Sequence, residues 1–202
     1  MEAEDFSEST QSTWQVMARF FWELIKAFLI AMVVIVPIRY FLVQPFFVRG
    51  ASMEPTFDDG EYLVIDQMSY RLREPKRGEV IVFRYPISPD QFFIKRIIGL
   101  PGERVHIEGG RVLIYNREHP SGVLLDESSY LESTVQTGGR DVDLSLGEND
   151  YFVMGDNRSD SSDSRFWGAL PDNFLVGRVW FRAFPVDRFS FFSADRIGFL
   201  SL

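Results

Sequence analysis

Two stretches, GEVIVFRY (78–85) and FFIKRIIG (92–99), decide the fold class of this 202-residue chain. Both are short, rich in β-branched and aromatic residues, and bounded by glycine, proline or aspartate, which is typical of β-strands. The same pattern recurs on either side of them, in EYLVID (61–66), RVHI (104–107), RVLIYN (111–116), DYFVMG (150–155) and LVGRVWFRAF (175–184). Helical periodicity is scarce beyond residue 44. The sequence therefore predicts one mostly β domain over 44–202.

A polar segment interrupts this pattern at about 108–149. Its start, Glu108-Gly109-Gly110, is a signal for a hairpin turn between two strands. The stretch 117–147 is polar and contains several glycines and serines. We expect a small, loop-rich insertion here rather than part of the core.

The apolar stretch FFWELIKAFLIAMVVIVPI (20–38) precedes the predicted strands. Its uninterrupted apolar part, 27–38, has 12 residues, fewer than the roughly 20 of a comfortable membrane span. Glu23 and Lys26 lie one turn apart, and pairing or snorkelling of the two would lengthen the usable segment.

Three interpretations of this apolar stretch compete. A cleaved signal peptide needs a basic start and a small-residue cleavage site, and the chain instead starts with acidic residues. A buried soluble helix would show a polar face, and 28–36 has none. We therefore predict an uncleaved membrane anchor helix over 20–43, after a polar tail over 1–19. The flanking positive charges are balanced and do not indicate its orientation.

The composition excludes several classes of function. A net charge of −8 and a pI near 4.8 argue against nucleic acid as a partner. The absence of cysteine excludes disulfides, thiolate zinc sites and cysteine nucleophiles. The only histidines, His106 and His119, have no motif around them, so neither a Ser-His-Asp triad nor a zinc site is supported.

The first candidate for chemistry is Ser52, in GASMEPT (50–56). Small residues before the serine allow the backbone of a substrate to approach closely, and Pro55 restricts the turn that follows. The segment is not the G-x-S-x-G nucleophile elbow, because position 54 is glutamate. The alternative is an ordinary turn in which the Ser52 hydroxyl satisfies a backbone donor.

The second candidate is Lys95. In a strand its side chain shares a face with Phe93 and Ile97, whereas Arg96 points the opposite way. Loss of hydration among apolar neighbours lowers the pKa of a lysine, and a neutral amine accepts the proton of a serine hydroxyl. The chain has 18 Arg and only three Lys, and arginine cannot act as such a base. The alternative is an edge-strand lysine that snorkels to water.

The third candidate is MGDNRSDSSDSRFWG (154–168), which directly follows a predicted strand. An EF-hand is excluded by the spacing, since the third, sixth and twelfth positions counted from Asp156 are Arg158, Ser161 and Trp167. Two arginines among the acids favour internal Asp–Arg pairs in a hydrogen-bonded scaffold. Ser161 or Ser162 would then be available to contact a catalytic group.

These segments, in this order after an apolar anchor, closely resemble the type I signal peptidases of bacteria. The resemblance covers roughly 45–107 and 150–184 and rests on GASMEPT, EYLVID, RGEVIVFRYP, FIKRIIGLPGERV and GDNRSDSSDSRFWGALP. It implies a membrane-anchored serine endopeptidase with a Ser/Lys dyad on a mostly β fold. Such an enzyme removes signal peptides from exported preproteins on the outer side of the cytoplasmic membrane, without a metal or a cofactor.

The resemblance also implies roles for individual residues. Ser52 is the nucleophile and Lys95 the general base, and Gly50 lies at a position where some members carry an oxyanion-binding serine. Supporting roles fall on Ser161, which would orient the lysine, on the pair Asp163 and Arg165, and on Asp156, Asn157 and Arg158 in a structural turn. The substrate pocket would be lined by Val48, Met53 and Ile94, next to small substrate residues at the first and third positions before the cut.

Three rival functions differ in what they predict. A specialised processing peptidase would share the dyad but cut few preproteins. A catalytically silent relative that only binds signal peptides has no need of Ser52 or Lys95. Self-cleaving repressors use Ser/Lys chemistry but carry a DNA-binding domain and no anchor. The sequence does not indicate the oligomeric state.

Overall fold

The structure is a computed structural model that describes residues 5–37, 43–132, 135, 137–138, 141–194 and 198–200. The chain divides into two compact units, Met1–Leu42 and Val43–Leu202, and each is described by itself.

The N-terminal unit contains one long helix, α1 (Asp5–Pro37, 33 residues), which at 1.5 Å per residue is about 50 Å long. It begins well before Phe20, the predicted start of the anchor, and the stretch 5–19 contains no glycine or proline to interrupt it. Large apolar side chains are exposed along α1 from Trp14 to Val36. No helix among the described residues is both long enough and apolar enough to cross a membrane. The predicted anchor continues over 38–43. Residues 38–42 lie outside the described residues, and the predicted end is wrong at Val43, which belongs to a strand (Val43–Phe47).

The second unit is built almost entirely from antiparallel strands. In chain order these are β1 (Val43–Phe47), β2 (Tyr62–Asp66), β3 (Val80–Tyr85), β4 (Ser88–Gly99), β5 (Arg104–Glu108), β6 (Arg111–Tyr115), β7 (Val123–Asp126), β8 (Val142–Ser145), β9 (Asp150–Met154), β10 (Leu170–Pro171), β11 (Leu175–Phe184), β12 (Ser190–Phe191) and β13 (Gly198–Leu200). Two single-turn helices, α2 (Ser69–Leu72) and α3 (Ser164–Trp167), accompany them.

Within the described residues the strands form two sheets. The larger sheet has the order β1-β2-β11-β3-β4-β9-β10, with β12 paired to β11, and the smaller has the order β13-β7-β6-β5-β8. Side chains from both sheets meet in one core, where Ile98 and Phe152 of the larger sheet pack with Val105 and Ile114 of the smaller.

The seven predicted strands are all present, and the predicted mostly β architecture is confirmed. The predicted hairpin joins β5 and β6, and both of its glycines have positive φ, +55° at Gly109 and +77° at Gly110. The stretch 117–147 differs from the expected loop-rich insertion, because it contains β7 and β8. Val123 and Leu125 of β7 are buried in the shared core. A strand of four residues is too short to produce a clear alternating pattern.

The course of β4 positions the site. It pairs with β3 from Ser88 to Arg96, with an irregularity between Ser88 and Phe92, and with β9 only from Arg96 onward. The first half of β4 therefore has one edge without a strand partner among the described residues. The sheet curls so that Phe46 of β1 meets Phe92 of β4, with ring centroids 5.4 Å apart. The two strands consequently flank an open cavity.

Candidate active site

Ser52 lies on a compact turn that follows β1. The turn is closed by two backbone hydrogen bonds, from Glu54 N–H to the Ala51 carbonyl at 3.1 Å and from Phe57 N–H to the Met53 carbonyl at 2.9 Å. Met53 and Phe57 are buried in the core beneath it. Burial of these two side chains holds the turn on the sheet and leaves the Ser52 side chain half-buried at the cavity.

Lys95 lies on β4 with its amine at the Ser52 hydroxyl. Nζ of Lys95 and Oγ of Ser52 are 2.7 Å apart, within hydrogen-bonding distance. The amine also donates to the Ile94 carbonyl at 2.8 Å. Only 3% of Lys95 is exposed, and its Nζ is 5.5 Å from the centre of the Phe93 ring. The predicted apolar surroundings are present, and the side chain does not snorkel to water.

The surroundings of Lys95 change its acidity. Burial lowers the pKa of its amine from the ordinary 10.5 to about 8, although the negative charges of Asp163 and Asp156 act in the opposite direction. Arg165 contributes to the lowering. Desolvation dominates because it disfavours the charged form of a lysine. A substantial fraction of the amine is therefore neutral near pH 8, as a proton acceptor requires.

The predicted scaffold of 154–168 holds two buried ion pairs of different kinds. Arg165 donates to both carboxylate oxygens of Asp163, at 2.8 and 2.7 Å, which is the internal pairing that the sequence favours. Asp156 instead pairs with Arg96 of β4, at 2.8 and 2.7 Å. Arg158 also reaches outside the segment, donating to the Glu127 carboxylate at 2.9 Å. The scaffold therefore ties together β4, β9 and Glu127.

The same segment packs against the Ser52 turn. Asn157 donates its backbone N–H to the Ser52 carbonyl and its side-chain amide to the Ala51 carbonyl, both at 3.1 Å. A Cβ added at Gly155 would lie 2.4 Å from the Ser52 carbonyl oxygen and 2.3 Å from Oγ of Ser161. Gly155 thus provides the space in which Ser161 and the Ser52 turn come together.

Ser161 lies in this contact with its hydroxyl buried. Its Oγ has no hydrogen-bond partner among the described residues. Orientation of Lys95 by Ser161 is therefore not a contact of this structure, and it stays a prediction. The neighbouring Ser162 is exposed and lines the cavity beside Ser52 and Lys95.

The backbone near Ser52 bears on how an oxyanion would be held. Gly50 has a φ of +88° and donates its N–H to the Asp59 carboxylate at 2.7 Å, so that donor is already used. The space that a Cβ at Gly50 would occupy is empty. The N–H of Ser52 has no acceptor among the described residues and is available to a developing oxyanion.

The cavity between β1 and β4 has a volume of about 540 Å³. Two of the predicted pocket residues, Val48 and Ile94, line it, together with Phe46, Phe47, Arg49, Ser52, Leu63, Val82, Gln91, Phe92, Phe93, Lys95 and Ser162. Met53 does not line this cavity, because its side chain is buried in the core under the turn.

The sequence reasoning missed the aromatic walls of the cavity. Phe92 alternates with Ile94 on β4, so the strand pattern contained that signal. Phe46 reaches the cavity only because the sheet curls, which no local pattern indicates. Neither histidine lines this cavity. His106 contacts Glu108 on β5, and His119 packs on Phe199 of β13.

The site therefore places a serine hydroxyl beside a buried lysine amine at an open cavity. Residues 21–184 match the family described as "Signal peptidase, peptidase S26", and the chain belongs to this family of peptidases. A probable signal peptidase I-2 of Synechocystis sp. is 36% identical over 178 residues, 86% of this chain and 78% of that protein. A signal peptidase I of Leptolyngbya laminosa is 37% identical over 176 residues, 82% and 81% of the two chains.

A solved structure was also found to be similar. It is the crystal structure of a signal peptidase I from Enterococcus faecalis V583, with 30% sequence identity and a TM-score of 0.42. The match covers 52% of this chain and 97% of the other.

Proposed function

We propose that this chain removes N-terminal signal peptides from exported preproteins by acyl-enzyme chemistry, with Ser52 as nucleophile and Lys95 as general base. The observation that carries the proposal is the 2.7 Å separation of Ser52 Oγ and the Lys95 amine, together with the burial that lowers the pKa of that amine to about 8. A nucleophilic hydroxyl needs an adjacent base that is unprotonated at working pH, and the two groups meet this requirement.

In the acylation step Ser52 Oγ attacks the scissile carbonyl carbon while neutral Lys95 takes the hydroxyl proton. The Ser52 N–H donates to the oxyanion of the tetrahedral intermediate. When the carbon–nitrogen bond breaks, the Lys95 ammonium returns the proton to the leaving amine. Lys95 is then neutral again and deprotonates a water, which attacks the ester carbonyl. Release of the signal peptide acid gives the proton back to Ser52 Oγ.

The cavity between β1 and β4 supports a substrate that binds in extended form. Phe46, Val48 and Ile94 give it apolar walls, and Ser52 and Lys95 line the same cavity. The part of β4 before Arg96 has an edge without a strand partner among the described residues, so a substrate strand could pair with it. Side chains alternating along such a strand would present the first and third positions before the cut to one wall.

We further propose that the chain is anchored in the bacterial cytoplasmic membrane by residues 20–43. The tail 1–19 would be cytoplasmic and the domain 44–202 would lie on the outer side. The exposed apolar side chains of α1 support association with lipid. Within the β-rich unit, the exposed rings of Phe47, Tyr62 and Phe184 are in contact, with centroids 4.9 and 6.1 Å apart. Such aromatic surfaces are typical of membrane interfaces, and Phe47 also lines the cavity.

The test is cleavage of a preprotein by the full chain in detergent, with the products mapped by mass spectrometry. We expect one cut at the end of the signal peptide and none with Ser52→Ala. Several preproteins should be compared, because a specialised enzyme would cut only one of them. Cleavage that persists in Ser52→Ala, or an intact preprotein with the folded wild-type chain, would refute the proposal.

A further inference from the structure

Thr56 connects the Ser52 turn to the strand that carries Lys95. It lies four residues after Ser52, and its hydroxyl donates to Oδ2 of Asp156 at 2.6 Å. Its backbone carbonyl accepts a hydrogen bond from Arg182 of β11 at 2.5 Å. Thr56 is therefore held through both its side chain and its backbone.

Asp156 belongs to the framework that places Lys95. Arg96, the residue after Lys95, donates to both oxygens of Asp156, and it also donates to the Gly78 carbonyl at 2.9 Å. In the sheet Arg96 is directly opposite Met154, two residues before Asp156. Both the ion pair and the strand register therefore fix β4 relative to Asp156.

The Ser52 turn is attached to the same short segment at three points. Asn157 holds the carbonyls of Ala51 and Ser52, both at 3.1 Å, and Asp156 holds the hydroxyl of Thr56. The two Asn157 contacts are at adjacent residues and would still allow the far end of the turn to pivot about them. The Thr56 contact, four residues after Ser52, removes this freedom and fixes where the Ser52 hydroxyl lies relative to β4.

We propose that Thr56 is a positioning residue of the dyad, and that its hydrogen bond to Asp156 sets the separation of Ser52 Oγ and Lys95 Nζ. The inference rests on the proposed function and adds a residue to it. A misplacement of about 1 Å by a remote substitution can cost two orders of magnitude in rate. Thr56 does not line the cavity and makes its contacts with Asp156, Arg96 and Arg182, so its effect should fall on the chemical step rather than on binding.

Thr56→Val keeps the shape of the side chain and removes the hydroxyl, and Thr56→Ser keeps the hydroxyl. The matched control is Thr137→Val, since Thr137 is a buried threonine whose hydroxyl binds Arg158 of the same scaffold but does not touch the Ser52 turn. The measurements are kcat and KM on a preprotein with the full chain in detergent, corrected for the folded fraction. Thr56→Ala replaces the valine variant if that variant does not fold.

We expect kcat to fall about tenfold or more in Thr56→Val with KM changed less than about twofold, and to remain near wild type in Thr56→Ser and Thr137→Val. The acid limb of the rate profile should also move to higher pH in Thr56→Val. The negative charge of Asp156 raises the pKa of Lys95. In Thr56→Val the Asp156 carboxylate loses the hydrogen bond from the Thr56 hydroxyl, which offsets part of that charge, so the pKa of Lys95 should rise. A wild-type kcat in Thr56→Val, or equal losses in the valine and serine variants, would overturn the proposal.

Labelling of Ser52 by a fluorophosphonate separates this inference from the substrate assignment. In that reaction Oγ bonds to phosphorus, fluoride leaves and Lys95 takes the proton, so no signal peptide is needed. Suppose that the wild-type chain is labelled but cuts no preprotein, and that Thr56→Val is labelled more slowly than wild type. This result would support the positioning role and reject the proposed substrate. A folded wild-type chain that neither labels nor cuts would overturn both.

Discussion

Arg96 of β4, the residue after Lys95, forms a bidentate ion pair with Asp156. The side chains of Arg96 and Asp156 are 1% and 0% exposed. Strand alternation places Arg96 and Lys95 on opposite faces. The ion pair therefore anchors one face of β4 while the other face presents the amine to Ser52.

Removing one member of this pair should destabilise the protein severely. Arg96→Met leaves the Asp156 carboxylate buried without its cation, and we expect a loss of about 3–5 kcal/mol in the free energy of unfolding. Because Asp156 raises the pKa of Lys95, the acid limb of any remaining activity should move to higher pH. Chemical unfolding and a pH–rate profile measure the two effects. Arg96→Met combined with Asp156→Leu should recover part of the stability, and equal losses in the single and double variants would contradict this explanation.

The dyad itself can be tested by a substitution that keeps the charge. Lys95→Arg cannot accept a proton at any working pH, so cleavage should fall to background, as it should in Ser52→Ala. The double variant should be no worse than either single variant, because the two residues act as a unit. Rates of preprotein cleavage provide the measurement. His106→Ala and His119→Ala serve as controls, and substantial cleavage by Lys95→Arg would require another base.

The lowered pKa of Lys95 predicts how stability depends on pH. Its amine titrates near 8 in the folded protein and near 10.5 when unfolded, so between these values the unfolded chain binds more protons. Stability from this group therefore rises as the pH increases from about 8 to 10.5, and it is lowest below pH 8. Lys95→Met should be more stable than wild type at pH 7, by up to roughly 3 kcal/mol.

This advantage of Lys95→Met should shrink steadily above pH 8. Chemical unfolding of the two proteins across pH 6–10.5 measures it, with Lys76→Met, a surface lysine substitution, as the control. A stability difference that stays constant with pH would show that Lys95 keeps an ordinary pKa. The rate profile should agree, with its acid limb near pH 8 in wild type.

Gly50→Ser tests whether an added hydroxyl can assist the oxyanion. The structure leaves open space for the side chain, but the φ of +88° is strained for any residue with a Cβ, at a cost of about 1–2 kcal/mol. We expect Gly50→Ser and Gly50→Ala to lose similar stability, measured by thermal unfolding. The serine variant should have the higher kcat of the two, since only its hydroxyl can donate to the oxyanion. Equal kcat values would show that the hydroxyl does not reach it.

The proposed topology predicts which part of the chain is accessible from outside the cell. Protease added to intact spheroplasts should cut within 117–147, where Arg117 and Glu118 are exposed between β6 and β7. Fragments can be followed by mass spectrometry or with an epitope tag at the C-terminus. A cytoplasmic marker protein should remain intact as the control. Protection of 117–147 until the membrane is broken would reverse the proposed orientation.

The sequence predicted those features that depend on local patterns. Alternation of side chains placed Lys95 with Phe93 and turned Arg96 the other way, and the structure shows Lys95 beside the Phe93 ring and Arg96 paired with Asp156. The Asp163–Arg165 pair was also predictable from the sequence, because its members are two residues apart. They lie at the start of α3, where Asp163 accepts a hydrogen bond from the Arg165 N–H.

Features that depend on tertiary register were not predictable. Arg96 and Asp156 are 60 residues apart and Arg158 and Glu127 are 31 apart, and the sequence offers many other acids to each arginine. The link from Thr56 to Asp156 spans 100 residues and gives no local signal. Met53 shows the same limit, since an apolar residue beside a nucleophile can face either the substrate or the core.

The alternation of Lys95 and Arg96 along β4 also makes activity conditional on correct folding. A slip of β4 by one residue would exchange the faces of the two side chains and bring a guanidinium, which cannot take a proton, to Ser52. Under the proposed dyad mechanism, a chain that has paired β4 out of register would therefore be inert. A nascent molecule would then not cut its neighbours before its own strands are in register.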